Sequence, residues 1–199
     1  MAPNNWTRTT APRLPAVPLE PVADPAGWSA AEDVNTEEWI YHLSDAEIAE
    51  ILDAVSGVEA RGLDIMDIAR GDFALPTLAP ALAEIRAELL DGRGYVLVRG
   101  LPIAGMTPAQ AGAALWGIGL YLGRAVSQNA DGHLLGHVKD LGGDYGDPLT
   151  RGYQTRAAMG FHADPCDIVA LLCLRPAKSG GASRISKTTI WCCRAIRFG

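Results

Sequence analysis

No stretch of this 199-residue chain approaches the ~18 consecutive apolar residues that crossing a bilayer requires, although hydrophobic residues make up 48% of it. A soluble protein with no membrane partner is expected. Basic residues are also in deficit, with 17 Lys and Arg against 23 Asp and Glu for a net charge of -6. That balance argues against nucleic acid as the principal partner, because phosphate binding rests on a basic surface. Cysteine is scarce. Cys192 and Cys193 are adjacent and Cys166 and Cys173 are seven apart, so neither a zinc nor a redox spacing occurs and a reducing, cytoplasmic setting is expected. Cys166 is a candidate soft metal ligand by its closeness to His162, against the commoner role of cysteine as a small buried hydrophobe. The start of the chain has no apolar core of signal-peptide length and no basic lead into one.

The charge that is present is uneven. Residues 20–91 hold 17 of the 23 acids and three Arg, which leaves the remainder net positive and compatible with an anionic cosubstrate, although a solvated helical face explains the acids equally well. The first 27 residues carry six of the 13 prolines and read as part of an irregular or disordered arm, residues 1–30. Beyond it, Ser44 and Glu47 form a capping box, Leu43 is placed to staple onto Ile48, and Ile48, Ile51, Leu52 and Val55 make an apolar stripe, predicting a helix over 45–61. A second helix is predicted over 78–90, burying Leu82, Ile85, Leu89 and Leu90 and ending at Asp91-Gly92. Residues 94–100, rich in β-formers between glycines, predict a strand, and Thr107-Pro108 opens a third helix running to about Leu122. Short strands and turns are expected after Gly123.

The chemistry is concentrated in Phe161-His162-Ala163-Asp164-Pro165. On an extended segment, residues two apart share a face, so the His162 imidazole and the Asp164 carboxylate would converge, with Pro165 ending the strand or placing it at an edge. A His-x-Asp by itself is a weak signal. Its surroundings are more specific, because the apolar run Ile168 to Leu174 and then Gly180-Gly181-Ala182-Ser183 follow it. This order resembles the taurine dioxygenase (TauD/TfdA) family of Fe(II)- and 2-oxoglutarate-dependent oxygenases, and the strand, Arg99-Gly100-Leu101-Pro102 turn and helix upstream resemble it too.

The resemblance implies an α+β fold: a partial double-stranded β-helix (jelly roll, as in clavaminate synthase) with N-terminal flanking helices, over residues 31–186. It implies a dioxygenase that hydroxylates a small organic substrate with O₂ while 2-oxoglutarate is decarboxylated to succinate. His162 and Asp164 would be two ligands of a 2-His-1-carboxylate iron site, which leaves positions open for cosubstrate and O₂. Ser183 matches the hydroxyl that reaches the cosubstrate carboxylate, and otherwise reads as a turn hydroxyl. Asn129 is a further cosubstrate-side candidate or a turn residue before Asp131-Gly132. Phe161 would form pocket wall and Arg156 would meet an anionic substrate or point outward.

The pattern is then broken. The family's second His and its 2-oxoglutarate-binding Arg lie well downstream of the Gly-Gly turn, and residues 187–199 form an atypical tail with neither alternation nor a helical stripe. The expectation is an incomplete jelly roll with impaired activity and open sheet edges through which the chain could self-associate. Two other readings stay open on the residues. One is a non-catalytic remnant or binding module; the other is a cupin-like metal hydrolase or isomerase using His133, His137 and His162.

Overall fold

A computed structural model describes residues 4–15, 17–20, 23–29, 36–129, 131–146, 150–186 and 194–198. Helix α1 (Asp45–Ala60) starts at the capping box, with Ser44 Oγ accepting from Glu47 N at 3.3 Å and the Glu47 carboxylate accepting from Ser44 N at 2.7 Å. Ile51, Val55 and Val58 form its buried face, whereas Leu52, counted into the stripe, is 40% exposed. Helix α2 (Ala79–Asp91) has Leu78 at its N-cap, whose side chain can accept no hydrogen bond. Glu50 of α1 supplies the missing cap by accepting from Thr77 N at 2.7 Å and Leu78 N at 2.9 Å, with its negative charge at the positive end of the α2 dipole. Glu50→Ala is therefore expected to lower stability by about 1–2 kcal/mol, more than an ordinary surface substitution, as read by thermal unfolding.

Helix α3 (Pro108–Leu122) is capped by Thr107, whose hydroxyl accepts from Gln110 N at 3.2 Å while Gln110 Oε1 accepts from Thr107 N at 2.9 Å. Two polar groups on α3 pin the loop that precedes α2. Trp116 Nε1 donates to Ile68 O at 3.0 Å, and Tyr121 Oη accepts from Leu75 N at 2.9 Å and donates to Phe73 O at 3.0 Å. Phe73 is thereby held fully buried against Gly117, where a methyl group would overlap its ring.

Strands β1 (Ile40–His42), β2 (Tyr95–Arg99), β3 (Ile168–Leu172) and β4 (Arg194–Phe198) form one sheet in the order β1-β2-β4-β3, parallel throughout. Helices α1 and α2 pack against α3, and α2 and α3 cover the sheet at β2, β4 and β3. A single core joins these layers through Val96 and Val98 of β2, Leu82, Ile85 and Leu89 of α2, and Ala114 and Ile118 of α3. Leu90 is only half-buried; fully buried Glu88 lies on the inward side of α2 instead.

The mixed helix-and-strand architecture is as expected, with its helices where capping and periodicity place them. Three local expectations are corrected. Residues 155–167 are bends and coil rather than strand, with the regular strand beginning at Ile168, and no strand occurs among the described residues between Gly123 and Asp167. The tail, in which no element was foreseen, contributes β4. No described helix is long and apolar enough to cross a membrane.

Candidate metal centre

The site is built by the coil between α3 and β3. Lys139 N donates to Tyr153 O at 3.1 Å and Leu141 N to Gln154 O at 2.8 Å, so two distant stretches of this coil run side by side. Asp140 and Asp144 close tight turns by accepting from Gly142 N and Gly146 N at 2.8 and 2.9 Å. These turns carry Tyr145 over the segment that leads into the histidine. Tyr145, Gly152, Met159, Gly160, Phe161 and His162 line one open cleft of about 290 Å³. Gly152 lies close under these side chains, since a methyl group there would meet Met159 Sδ at 2.8 Å and the Tyr145 ring at 3.1 Å and make them shift.

His162 and Asp164 do come together, without the strand that was expected to align them. His162 Nε2 stands 4.0 Å from Asp164 Oδ1, and the two side chains are 53% and 50% exposed. His162 Nδ1 is 2.9 Å from Gly160 O. A carbonyl can only accept, so the proton of the neutral ring sits on Nδ1 and the Nε2 lone pair faces the carboxylate side. This is the arrangement in which a backbone carbonyl orients a metal-binding imidazole. Asp164 O accepts from Cys166 N at 2.8 Å, which closes a tight turn around Pro165, and the Cys166 thiol donates to Ile168 O at 3.6 Å. The thiol is thus directed at the backbone of β3.

Two donors on one first-row ion, each at about 2.1 Å and at right angles, stand about 3 Å apart. The observed gap exceeds that by a distance that side-chain rotation covers, and both groups are open to solvent, so the pair fits a divalent cation. It supplies two donors and no more, because no group of three His, Cys, Asp or Glu side chains gathers among the described residues. That finding corrects the three-histidine alternative. His133 is occupied otherwise: Asn129 Oδ1 accepts from Asp131 N and His133 N, both at 3.1 Å, which leaves Asn129 Nδ2 to donate to His133 Nδ1 at 2.8 Å. The His133 proton is then on Nε2, the opposite tautomer to His162. His137 lies exposed in the coil.

The other candidates divide in the same way. Phe161, 73% exposed, lines the cleft beside His162. Asn129 has both ends of its amide engaged in building its own turn. Arg156 and Ser183 are exposed and not among the residues lining the cleft. Ser183 follows two glycines with φ of +70° and +69°, a left-handed pair that residues with a side chain enter only at a cost. Sequence reasoning missed Tyr145, Gly152 and Met159, which no spacing relates to His162. It also missed the carbonyl of Gly160, which was legible in principle as the backbone two residues before the imidazole.

Residues 60–189 match the taurine catabolism dioxygenase TauD, TfdA family, a span that includes α2, β2, α3, the His162-Asp164 pair and the Gly180-Gly181 turn. The chain is 34% identical over 168 residues to FR-33289 synthase of Streptomyces rubellomurinus, covering 84% of this chain and 50% of that protein. It is 27% identical over 172 residues to taurine hydroxylase-like protein SAT17 of Stachybotrys chartarum, covering 83% of this chain and 45% of that protein. The chain therefore spans about half the length of these curated relatives. On the extent of the family match and the identity to the Streptomyces protein, this chain belongs to the taurine catabolism dioxygenase TauD, TfdA family of oxygenases.

Proposed function

We propose that this chain carries two of the iron ligands of an Fe(II)- and 2-oxoglutarate-dependent dioxygenase, His162 through Nε2 and Asp164 through a carboxylate oxygen. The observation that carries the reading is the Nδ1 contact of His162 with Gly160 O, which presents Nε2 toward Asp164 in the tautomer a cation requires. Iron with 2-oxoglutarate bound supplies the oxidising chemistry, hydroxylating a C–H bond of a small organic substrate with O₂ as cosubstrate. The protein's own residues hold and flank that centre. Gly160 O keeps the ring proton on Nδ1, and Tyr145, Met159 and Phe161 present apolar surface on which a substrate can lie next to His162. Ser183 is proposed to meet the cosubstrate, Asn129 to shape the loop on that side, and Arg156 to face an anionic substrate. In this reading the remaining donor is not gathered at the pair by the described residues.

The test is an anaerobic titration of the purified chain with Fe(II) and then 2-oxoglutarate, following the iron-to-ketoacid charge-transfer absorption. The expected result is metal binding that weakens at least about 10-fold in both His162→Ala and Asp164→Ala. An exposed pair of this kind contributes about 0–1 kcal/mol to folding, so both variants should unfold at nearly the wild-type temperature. Iron affinity unchanged in both variants would overturn the assignment.

A further inference from the structure

We propose that residues 6–9 are a strap that locks the α2–β2 turn through Glu88, so that the N-terminal arm and the helical layer open as one unit. Glu88 is 0% exposed, an unusual place for a carboxylate. Its side-chain oxygens accept from Thr9 N at 2.7 Å, Thr9 Oγ1 at 2.8 Å and Arg93 N at 2.9 Å, with Arg93 Nη1 at 4.0 Å. Two of those three hydrogen bonds therefore come from a residue 79 positions earlier in the chain.

The turn is shaped around the same residue. Glu88 O accepts from Gly92 N at 3.1 Å and Gly94 N at 3.2 Å, and Gly94 takes a φ of +90°. A side chain at Gly92 would overlap the Glu88 carboxylate. Burying a carboxylate is tolerated only while its lone pairs are filled, so withdrawing Thr9 leaves Glu88 to find water by opening the turn.

Neighbouring contacts hold the strap in register. Trp6 packs edge-on against Tyr41 with ring centres 5.8 Å apart, Thr7 N donates to Glu38 O at 3.2 Å, and Arg8 pairs with Glu84 at 3.1 Å, one helical turn before Glu88. Further along the arm, Trp28 Nε1 donates to Arg93 O at 3.1 Å and its ring meets Tyr95 of β2 at 5.0 Å. The arm so touches α2, the turn and β2 together.

Amide hydrogen exchange on the full chain tests this. The expected result is that the Thr9 amide exchanges at least about 100-fold more slowly than a free amide and at the rate of the Gly92 and Gly94 amides. Thr9→Glu, which sets a second carboxylate against Glu88, should release residues 6–9 and speed exchange at Gly92 and Gly94 at least about 10-fold. Thr9→Val, which removes the hydroxyl bond alone, should raise both rates in parallel, and decides the matter if Thr9→Glu does not fold. A Thr9 amide exchanging at the free rate while Gly92 and Gly94 stay protected would overturn the proposal, as would a Thr9→Val variant in which only the arm responds.

Discussion

Phe73→Ala is expected to destabilise the protein by about 3–5 kcal/mol, a large part of the ~5–15 kcal/mol that a domain has in total. Phe73 is the largest of the fully buried side chains among the described residues, and its backbone is fastened to α3 by the Tyr121 hydroxyl. The hydrogen bonds from Tyr121 would keep the loop in place around a vacated ring, so the cavity could not collapse. The facing position makes the prediction more specific. Gly117→Ala alone should cost about 1–3 kcal/mol by overpacking, because its methyl group falls on that same ring. Combined with Phe73→Leu, which withdraws ring atoms, Gly117→Ala should cost clearly less than the sum of the two single changes. Urea unfolding of the four proteins, monitored by circular dichroism, measures the coupling; strict additivity would show that Phe73 and Gly117 do not share a boundary.

The second large effect is expected at Glu47, a buried carboxylate that ties β1 to α1. It accepts from Tyr41 Oη at 2.6 Å, Ser44 N at 2.7 Å and Ser44 Oγ at 2.8 Å. Glu47→Ala leaves all three donors without their acceptor and should cost about 3 kcal/mol. Glu47→Gln can keep an oxygen on Ser44 N, as Gln110 does for Thr107 N, but meets Tyr41 Oη with an N–H in place of the carboxylate acceptor, and should cost at least about 1 kcal/mol. Burial of the Tyr41 phenol and then its hydrogen bond to Glu47 push its ionisation far above the usual tyrosine range. The folded form thus holds this proton more tightly than the unfolded form. Its stabilisation is whole below the unfolded value of about 10 and declines as pH rises beyond that. Wild-type stability should fall through the alkaline range above about pH 10, and Tyr41→Phe should flatten that slope.

These two sites also show where the sequence could be read and where it could not. The Ser44–Glu47 box is local, and it set the start of α1 correctly. The same logic placed α3 behind Thr107 and Pro108, and local hydrophobic spacing located α2. Glu88 escaped, because its partner Thr9 lies at the far end of the sequence and a glutamate on a helix ordinarily faces water. The α2 cap escaped for a similar reason, since Glu50 on another helix provides it. In the site, His162 and Asp164 were legible from their spacing and their surroundings. The strand expected to join them was not formed, since Cys166 N turns back to Asp164 O instead of entering a ladder. The period-two argument therefore foresaw that the two side chains lie close, but by a geometry that is not formed. Parallel strands are hardest to foresee, because no hairpin partner adjoins them: β4 pairs with β2 and β3, whose sequences lie well before it.

The strand order has a consequence for biosynthesis. The three helices and β1 and β2 have all left the ribosome once Leu122 is clear of the exit tunnel, and α1 and α2 can then pack on α3. β3, by contrast, can join β2 only across Arg194–Phe198, so for the time it takes to translate the intervening stretch the emerging chain displays β2 and β3 as separate ladders awaiting an insert. A nascent chain stalled before residue 194 should therefore present compact helices with unsatisfied strand edges, the kind of surface that holdase chaperones engage.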